Sequence, residues 1–396
     1  MPDRIYLDHA ATTPVRPEVR DAMLAVLGEG TFGNPSSSHA FGRAARAAVE
    51  AARERVAAAV GVEPGQVFFT SGGTEADNLA VLGSALARRN DRHSLAGAHL
   101  VSTPTEHKAV LAALHEAERL GARVTLLPVD GEGVVRLAAL EEALAEHHRP
   151  TLVSVMWANN EVGTLQPVGE IGERCVAAGV AFHSDAVQAF GKVPVDLRRV
   201  AWSAVSLSAH KVGGPKGVGA LVLGDPTAFA PLIHGGSQQR GLRPGTENVP
   251  GIVGFARAAE LAVAEQATSA AAWRAMRDAL QAAIAERVPG VVAHAAGAER
   301  VPNILNVSAP GTDSETLLMH LDLAGVAAAS GSACTTGSVE PSHVLLAMGV
   351  PADLAAAGVR FSVGALSTPD EVPRVAETYA RVVVKVQQLR KVLARA

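Results

Sequence analysis

The chain has 396 residues, 48% of them hydrophobic and 19% charged, with a formal net charge of −4. The length exceeds what one core usually supports, and the composition is that of a globular enzyme rather than a disordered or fibrous chain. The charge gives no footing for direct nucleic-acid binding, and the two cysteines, Cys175 and Cys334, exclude a disulfide framework and a Cys-rich zinc site.

So few cysteines fit a reducing cytoplasm. The N-terminal Met1-Pro-Asp-Arg4 lacks a basic-then-apolar secretory pattern. No apolar run reaches the roughly 18 residues that a membrane span needs. In chain order, Ile5–Leu7 reads as a short strand and Pro17 to about Leu27 as a helix. A long Ala/Arg/Glu helix covers Ala40–Val60 and stops at Gly61. A buried strand from Val67 ends in Ser71-Gly-Gly-Thr74, where a helix begins at once. Exposed N–H groups and the positive helix end there make a phosphate cradle, although an ordinary capped turn has the same pattern.

Strands and helices then alternate. His99–Ser102, Arg123–Pro128, Thr151–Trp157, Val180–His183, Ala204–Leu207 and Val218–Leu223 read as strands. His107–Leu120, Arg136–His147 and Gly169–Ala178 read as helices. This alternation predicts an α/β fold with a mostly parallel central sheet, and functional residues at the carboxyl ends of its strands. Pro250–Arg287 is helical in pattern, and Asn303–Val307, Val326–Ala329 and Gly358–Val363 are further strands. Helices cover Asp313–Leu323 and Pro369 to about Val392. The division expected is a large domain over 15–260 and a smaller α/β domain over 261–396, joined by the segment 1–14.

The polar clusters fall at the expected strand ends. They are Thr105-Glu-His107, Asn159-Asn-Glu161, Asp185 with Gln188, and Ser208-Ala-His-Lys211. Taken alone, the last also suits a surface lysine in a polar loop. Together they suit pyridoxal phosphate (PLP), an aldehyde carrying a phosphate. Its chemistry needs a lysine for the aldehyde, a carboxylate for the pyridine nitrogen, donors for the phosphate and a flat group against the ring. Lys211, Asp185, the Gly73-Thr74 turn with Ser208 and His210, and His107 fill those places in order. Cys334 sits in Ser330-Gly-Ser-Ala-Cys-Thr-Thr-Gly-Ser338, a composition that buries little apolar surface and favours exposure and mobility. Cys175, on a helical pattern, reads as a small core hydrophobe.

From Tyr6 to Gly364 the chain resembles class V aminotransferase-type PLP enzymes, and within them the cysteine desulfurases. The resemblance rests on Tyr-Leu-Asp8-His-Ala-Ala-Thr-Thr-Pro, Gly-Asn34-Pro, Thr-Ser-Gly-Gly-Thr-Glu, Thr-Glu-His107-Lys, Asn-Asn160-Glu and Asp185-Ala-Val-Gln188. It also rests on Ser-Ala-His-Lys211, Arg-Pro-Gly-Thr246-Glu-Asn, Ser-Gly-Ser-Ala-Cys334 and Val-Arg360-Phe-Ser. The cysteine segment resembles the branch with a long mobile loop that serves iron–sulfur cluster assembly or tRNA thiolation.

The resemblance implies the PLP-dependent transferase fold of type I and a role for each matching residue. Lys211 holds the aldehyde, Asp185 pairs with the pyridine nitrogen, and Gln188 bonds the ring hydroxyl oxygen. His107 stacks on the ring and moves protons. Gly73, Thr74, Ser208 and His210 bind the phosphate, and Thr246 does so from a second copy, which makes the protein a homodimer. Asn160 and Arg360 hold the substrate carboxylate, with Asn34 nearby. L-Cysteine would give L-alanine and a persulfide on Cys334 for a sulfur-acceptor protein, either a cluster scaffold or a tRNA-thiolation protein. A selenocysteine lyase or another class V enzyme shares all but the cysteine chemistry. Ala209 stands where many members carry Gly, and its methyl is tolerated unless the backbone there needs a positive φ.

Overall fold

The computed structural model describes residues 4–28, 30–88, 94–331 and 340–393. Cys334 lies outside the described residues. A seven-stranded sheet carries the architecture. Its strands lie in the order Val67–Thr70, Gly219–Leu223, Ala204–Ser208, Ala181–Asp185, Leu152–Ser154, His99–Ser102 and Arg123–Leu126. The five strands from Ala204–Ser208 to Arg123–Leu126 pair in parallel. Gly219–Leu223 runs antiparallel to both of its neighbours. The inner strands are buried on both faces, as a sheet covered by helices on both sides requires. Helix Ala40–Val60 ends where expected, because Gly61 takes the left-handed conformation at φ +75° that lets the chain turn away.

Two differences from the sequence reading have local causes. The strand expected over Thr151–Trp157 stops at Ser154. Beyond it Asn159 Oδ1 accepts from the N–H groups of Glu161 and Val162, at 2.8 and 2.9 Å. That side-chain turn folds the chain back so that Ala158 bridges to Leu165. The short helices His343–Ala347 and Ala352–Ala356 and the strand Val292–Ala293 had no counterpart in the sequence reading. They are too short to display a period.

Gly358–Ser362, Ile304–Ser308 and Val292–Ala293 form an antiparallel sheet. Its core includes Leu305, Val307, Phe361, Tyr379 and Val382. Helix Val249–Arg287 serves both cores. Ile252, Phe255 and Ala259 pack in the large one, and Met276, Leu280 and Ile284 in the small one. Residue 260 lies inside this helix. Ile5–Tyr6 pairs in parallel with Val326–Ala327, and Ile5 and Leu7 join the small core. The residues that follow, Asp8 to Thr13, are therefore delivered from the small sheet to the strand ends of the large one. Among the described residues no helix is long and apolar enough to cross a membrane.

Candidate active site

A cavity of about 310 Å³ opens at the carboxyl ends of the parallel strands, a volume within the range of small-molecule sites. Ten of the residues singled out from sequence line it: Gly73, Thr74, His107, Asn160, Asp185, Gln188, Ser208, His210, Lys211 and Arg360. The strand Ala204–Ser208 passes into the single helical turn Ala209–Lys211, which carries the lysine off the sheet edge. Ala209 is not among the residues with positive φ, so its methyl is accommodated without strain.

The N-terminal segment wraps this turn. Thr13 N–H and Thr13 Oγ1 both donate to His210 O, at 3.0 and 2.7 Å, and Thr13 Oγ1 accepts from Gly213 N–H at 2.8 Å. Lys211 Nζ donates to Ala10 O and Ala11 O at 2.5 and 2.8 Å. Burial, with the Arg360 cation nearby, lowers the Lys211 pKa to about 8 against the partial opposition of Asp185 and Asp8. A proton can therefore be held or released at Nζ near neutrality.

Asp185 closes the strand Ala181–Asp185 and is almost wholly buried. Its Oδ1 accepts from Val187 N–H at 2.8 Å. Burial raises its pKa, and the neighbouring His107 and Lys211 oppose that rise. Asp77, on the helix Gly73–Ala87, shares the floor, where its ligand oxygen, that of Asp185 and a His107 nitrogen all lie within 4.8 Å of one another. Burial, and after it the charges of Asp185 and Glu106, push the Asp77 pKa well up. Glu106 is raised to about 8, chiefly by burial.

The His107 ring is open to solvent while protein surrounds much of it, and burial lowers its pKa. Nδ1 accepts from Ala109 N–H at 3.1 Å, which places the proton of the neutral ring on Nε2. Arg360 is buried and donates from Nη2 to Asp8 at 2.8 Å and from Nη1 to Asn160 O at 2.7 Å. Each of these nitrogens keeps one more N–H.

The residues present fit PLP. Helix Gly73–Ala87 starts at Gly72 without a side-chain cap, so its first N–H groups are available to a phosphate. Ser208 Oγ is buried beside them with no hydrogen-bond partner among the described residues. Burial pushes the His210 pKa down to about 4, and its Nδ1 pairs with Thr12 Oγ1 at 3.1 Å. Asp185 provides the carboxylate that a pyridinium needs. Gln188 Nε2 donates to Ala10 O at 2.8 Å, which leaves Oε1 buried without a partner among the described residues and able to accept from a ring hydroxyl.

Thr246 and Asn34 are not brought to the cavity within one chain. Both are exposed, and Asn34 Oδ1 accepts from Ser36 N–H at 2.9 Å. Asp8 and Asp77 were given no role in the sequence reading. Asp77 lies three and four positions beyond Thr74 and Gly73, on the same helix face, a signal that was available. Asp8 sits in the quoted N-terminal motif, but its partner Arg360 is 352 residues away.

Residues 5–375 match the family Aminotransferase class-V. The chain is 42% identical over 389 residues to the cysteine desulfurase IscS of Dictyoglomus turgidum, covering 98% of this chain and 97% of that one. A solved NifS-like protein superposes with a TM-score of 0.87 at 37% identity, covering 96% of this chain and 100% of the other. A structure of SspA in complex with cysteine superposes with a TM-score of 0.78 at 32% identity, covering 90% and 98%.

Proposed function

We infer that this chain, which belongs to the class-V aminotransferase family, is a pyridoxal-phosphate-dependent cysteine desulfurase. One observation carries the reading: Lys211, Asp185 and Arg360 converge on one cavity beside an uncapped helix start. When bound, PLP supplies an aldehyde for amines and a protonated ring that draws electrons from the substrate Cα.

The chain's own residues do the rest. Asp185 keeps the ring nitrogen protonated. Arg360 receives the carboxylate of L-cysteine on its outward N–H groups, with Asn160 alongside, and Asp8 holds the guanidinium in place. Lys211 Nζ takes the Cα proton, and His107 serves proton transfer from Nε2. The Cys334 thiolate bonds to the substrate sulfur as the Cβ–S bond breaks, its electron pair remaining with the carbon that becomes L-alanine. One cysteine and one thiol thus give one alanine and one persulfide.

The acceptor is a protein, a cluster scaffold or a tRNA-thiolation protein. A homodimer in which Thr246 reaches the partner's phosphate site fits the exposure of Thr246. The proposed setting is the cytoplasm, and the proposed division of the chain is 15–260 and 261–396.

The test uses the purified, PLP-loaded protein with L-cysteine. Alanine should appear in step with a one-sulfur mass gain on Cys334. Lys211→Ala should abolish alanine formation, and Cys334→Ala should abolish the mass gain. Full sulfide release by Cys334→Ala with a thiol acceptor would remove the persulfide role. Turnover of selenocysteine alone would replace the desulfurase with a lyase.

A further inference from the structure

The helix start assigned to the cofactor phosphate carries an acid of its own. In helix Gly73–Ala87 the first N–H to enter the hydrogen-bond ladder is that of Ala76, which donates to Gly72 O at 3.2 Å. The N–H groups of Gly73, Thr74 and Glu75 precede it. Glu75 is the acid of that first turn. Its Oε2 accepts from Ser71 N–H at 2.7 Å, which brings the carboxylate back over the turn that leads into the helix. Two anions therefore meet at one positive helix end: this carboxylate and the phosphate that PLP would add.

One cation meets that carboxylate. Arg243 donates from Nε to Glu75 Oε1 at 2.7 Å and from Nη2 to Oε2 at 3.2 Å, a forked pair whose side chains are 24% and 16% exposed. Among the described residues no other cation forms an ion pair with Glu75. Burial opposes the charge of Glu75, but the bonds from Arg243 and Ser71 outweigh it and hold its pKa below the usual carboxylate value. The segment that carries Arg243 does not depend on this pair for its place. Gln239 Oε1 accepts from Phe69 N–H and from Arg53 Nη1, both at 2.9 Å, and Arg240 Nη2 donates to Val67 O at 3.1 Å. What the ion pair adds is charge balance.

We propose that Arg243 is a positioning residue for the cofactor: by neutralising Glu75 it keeps the start of helix Gly73–Ala87 receptive to a phosphate. The proposal rests on the PLP reading above. Ser71, which holds the carboxylate, is two residues from Gly73, and two extended residues span at most about 7 Å. Charges that close interact across the roughly 8 Å screening length of physiological salt, and partial burial weakens the screening further. Without Arg243 a partly buried carboxylate would repel the incoming dianion from the same helix end. Glu75 in turn serves the helix, since an acid in the first turn stabilises its start before any phosphate arrives.

The experiment measures, by absorbance, the equilibrium binding of PLP and of pyridoxal, which lacks the phosphate, to the cofactor-free full chain. Wild type is compared with Arg243→Gln, Arg243→Lys, Glu75→Gln and the double variant Glu75→Gln with Arg243→Gln. Arg243→Gln should weaken PLP binding at least about tenfold at low salt and less at high salt, while pyridoxal binding stays within about twofold of wild type. Arg243→Lys, which keeps the charge, should recover most of the affinity. Glu75→Gln keeps an acceptor for Ser71 N–H and should bind PLP as tightly as wild type or more so. The double variant should return to within about threefold of wild type, because no anion is left to neutralise. PLP binding by folded Arg243→Gln within about twofold of wild type would overturn the proposal. So would equal weakening of both single variants and the double, toward PLP and pyridoxal alike, since a purely structural pair predicts that pattern. If Arg243→Gln does not fold, loss of PLP affinity in Glu75→Gln or in the double variant still overturns it. A wild type that binds PLP no tighter than pyridoxal would instead overturn the phosphate site itself.

Discussion

The floor of the cavity and the core of the small sheet are both buried, yet they treat polar atoms differently. At the floor, Asp77 Oδ1, Gln188 Oε1 and Ser208 Oγ have no hydrogen-bond partner among the described residues. One of these belongs to Asp77, an acid whose pKa burial has raised. In the small core, the Tyr379 hydroxyl is also buried without a partner among the described residues, but its ring packs edge-on against Phe361 among aliphatic side chains. A buried polar atom without a partner costs about 1–3 kcal/mol in either place. Only beside the cavity can a ligand relieve that cost. The floor therefore stores binding capacity, whereas the tyrosine hydroxyl is a burden on folding alone.

The comparison breaks most easily at Arg360. Arg360→Leu removes the guanidinium, leaves Asp8 without its partner and takes away the proposed anchor for the substrate carboxylate. We expect kcat/KM for L-cysteine to fall about a hundredfold, mainly through KM, as loss of charge-assisted bonds predicts. An unchanged KM would move the carboxylate site elsewhere.

The next effect is in pH. The Lys211 pKa is lowered from 10.5 to about 8. The protonated amine is unreactive toward an aldehyde, so the reactive fraction grows as pH rises through about 8 and is level above it. Below that point it drops about tenfold per pH unit. PLP uptake by the cofactor-free protein, followed by absorbance, should trace this curve. A midpoint near that of an ordinary lysine would contradict the burial argument. Arg360→Leu, by removing a cation that lowers the pKa, should shift the midpoint upward.

The smallest effect is at the other pole of the comparison. Tyr379→Phe deletes the unpartnered hydroxyl and keeps the ring, so stability should stay level or rise by up to about 1 kcal/mol, read from the urea midpoint. A clear loss would reveal a partner for the hydroxyl and weaken the contrast.

Particular residues show how far the chain could be read in advance. Lys211, Asp185 and His107 were legible because each follows an apolar run at a strand end, and parallel strands bring such ends to one edge. Helix Ala40–Val60 and strand His99–Ser102 match their expected bounds, since caps and periods are local. The antiparallel insertion of Gly219–Leu223 was not legible, because an apolar run of five has no direction. Nor was the Asp8–Arg360 pair, joined only when Ile5–Tyr6 docks beside Val326–Ala327.

By itself, the sequence determined the inventory: an α/β chain with a lysine, a carboxylate, a Gly-Gly-Thr turn opening a helix and a cysteine, in that family's order. Residue type and short-range pattern encode that much. Only the tertiary structure decided which groups share a cavity, which acids are buried beside one another and which cation meets Asp8. Those outcomes depend on burial and on distances of a few ångströms between residues hundreds of positions apart.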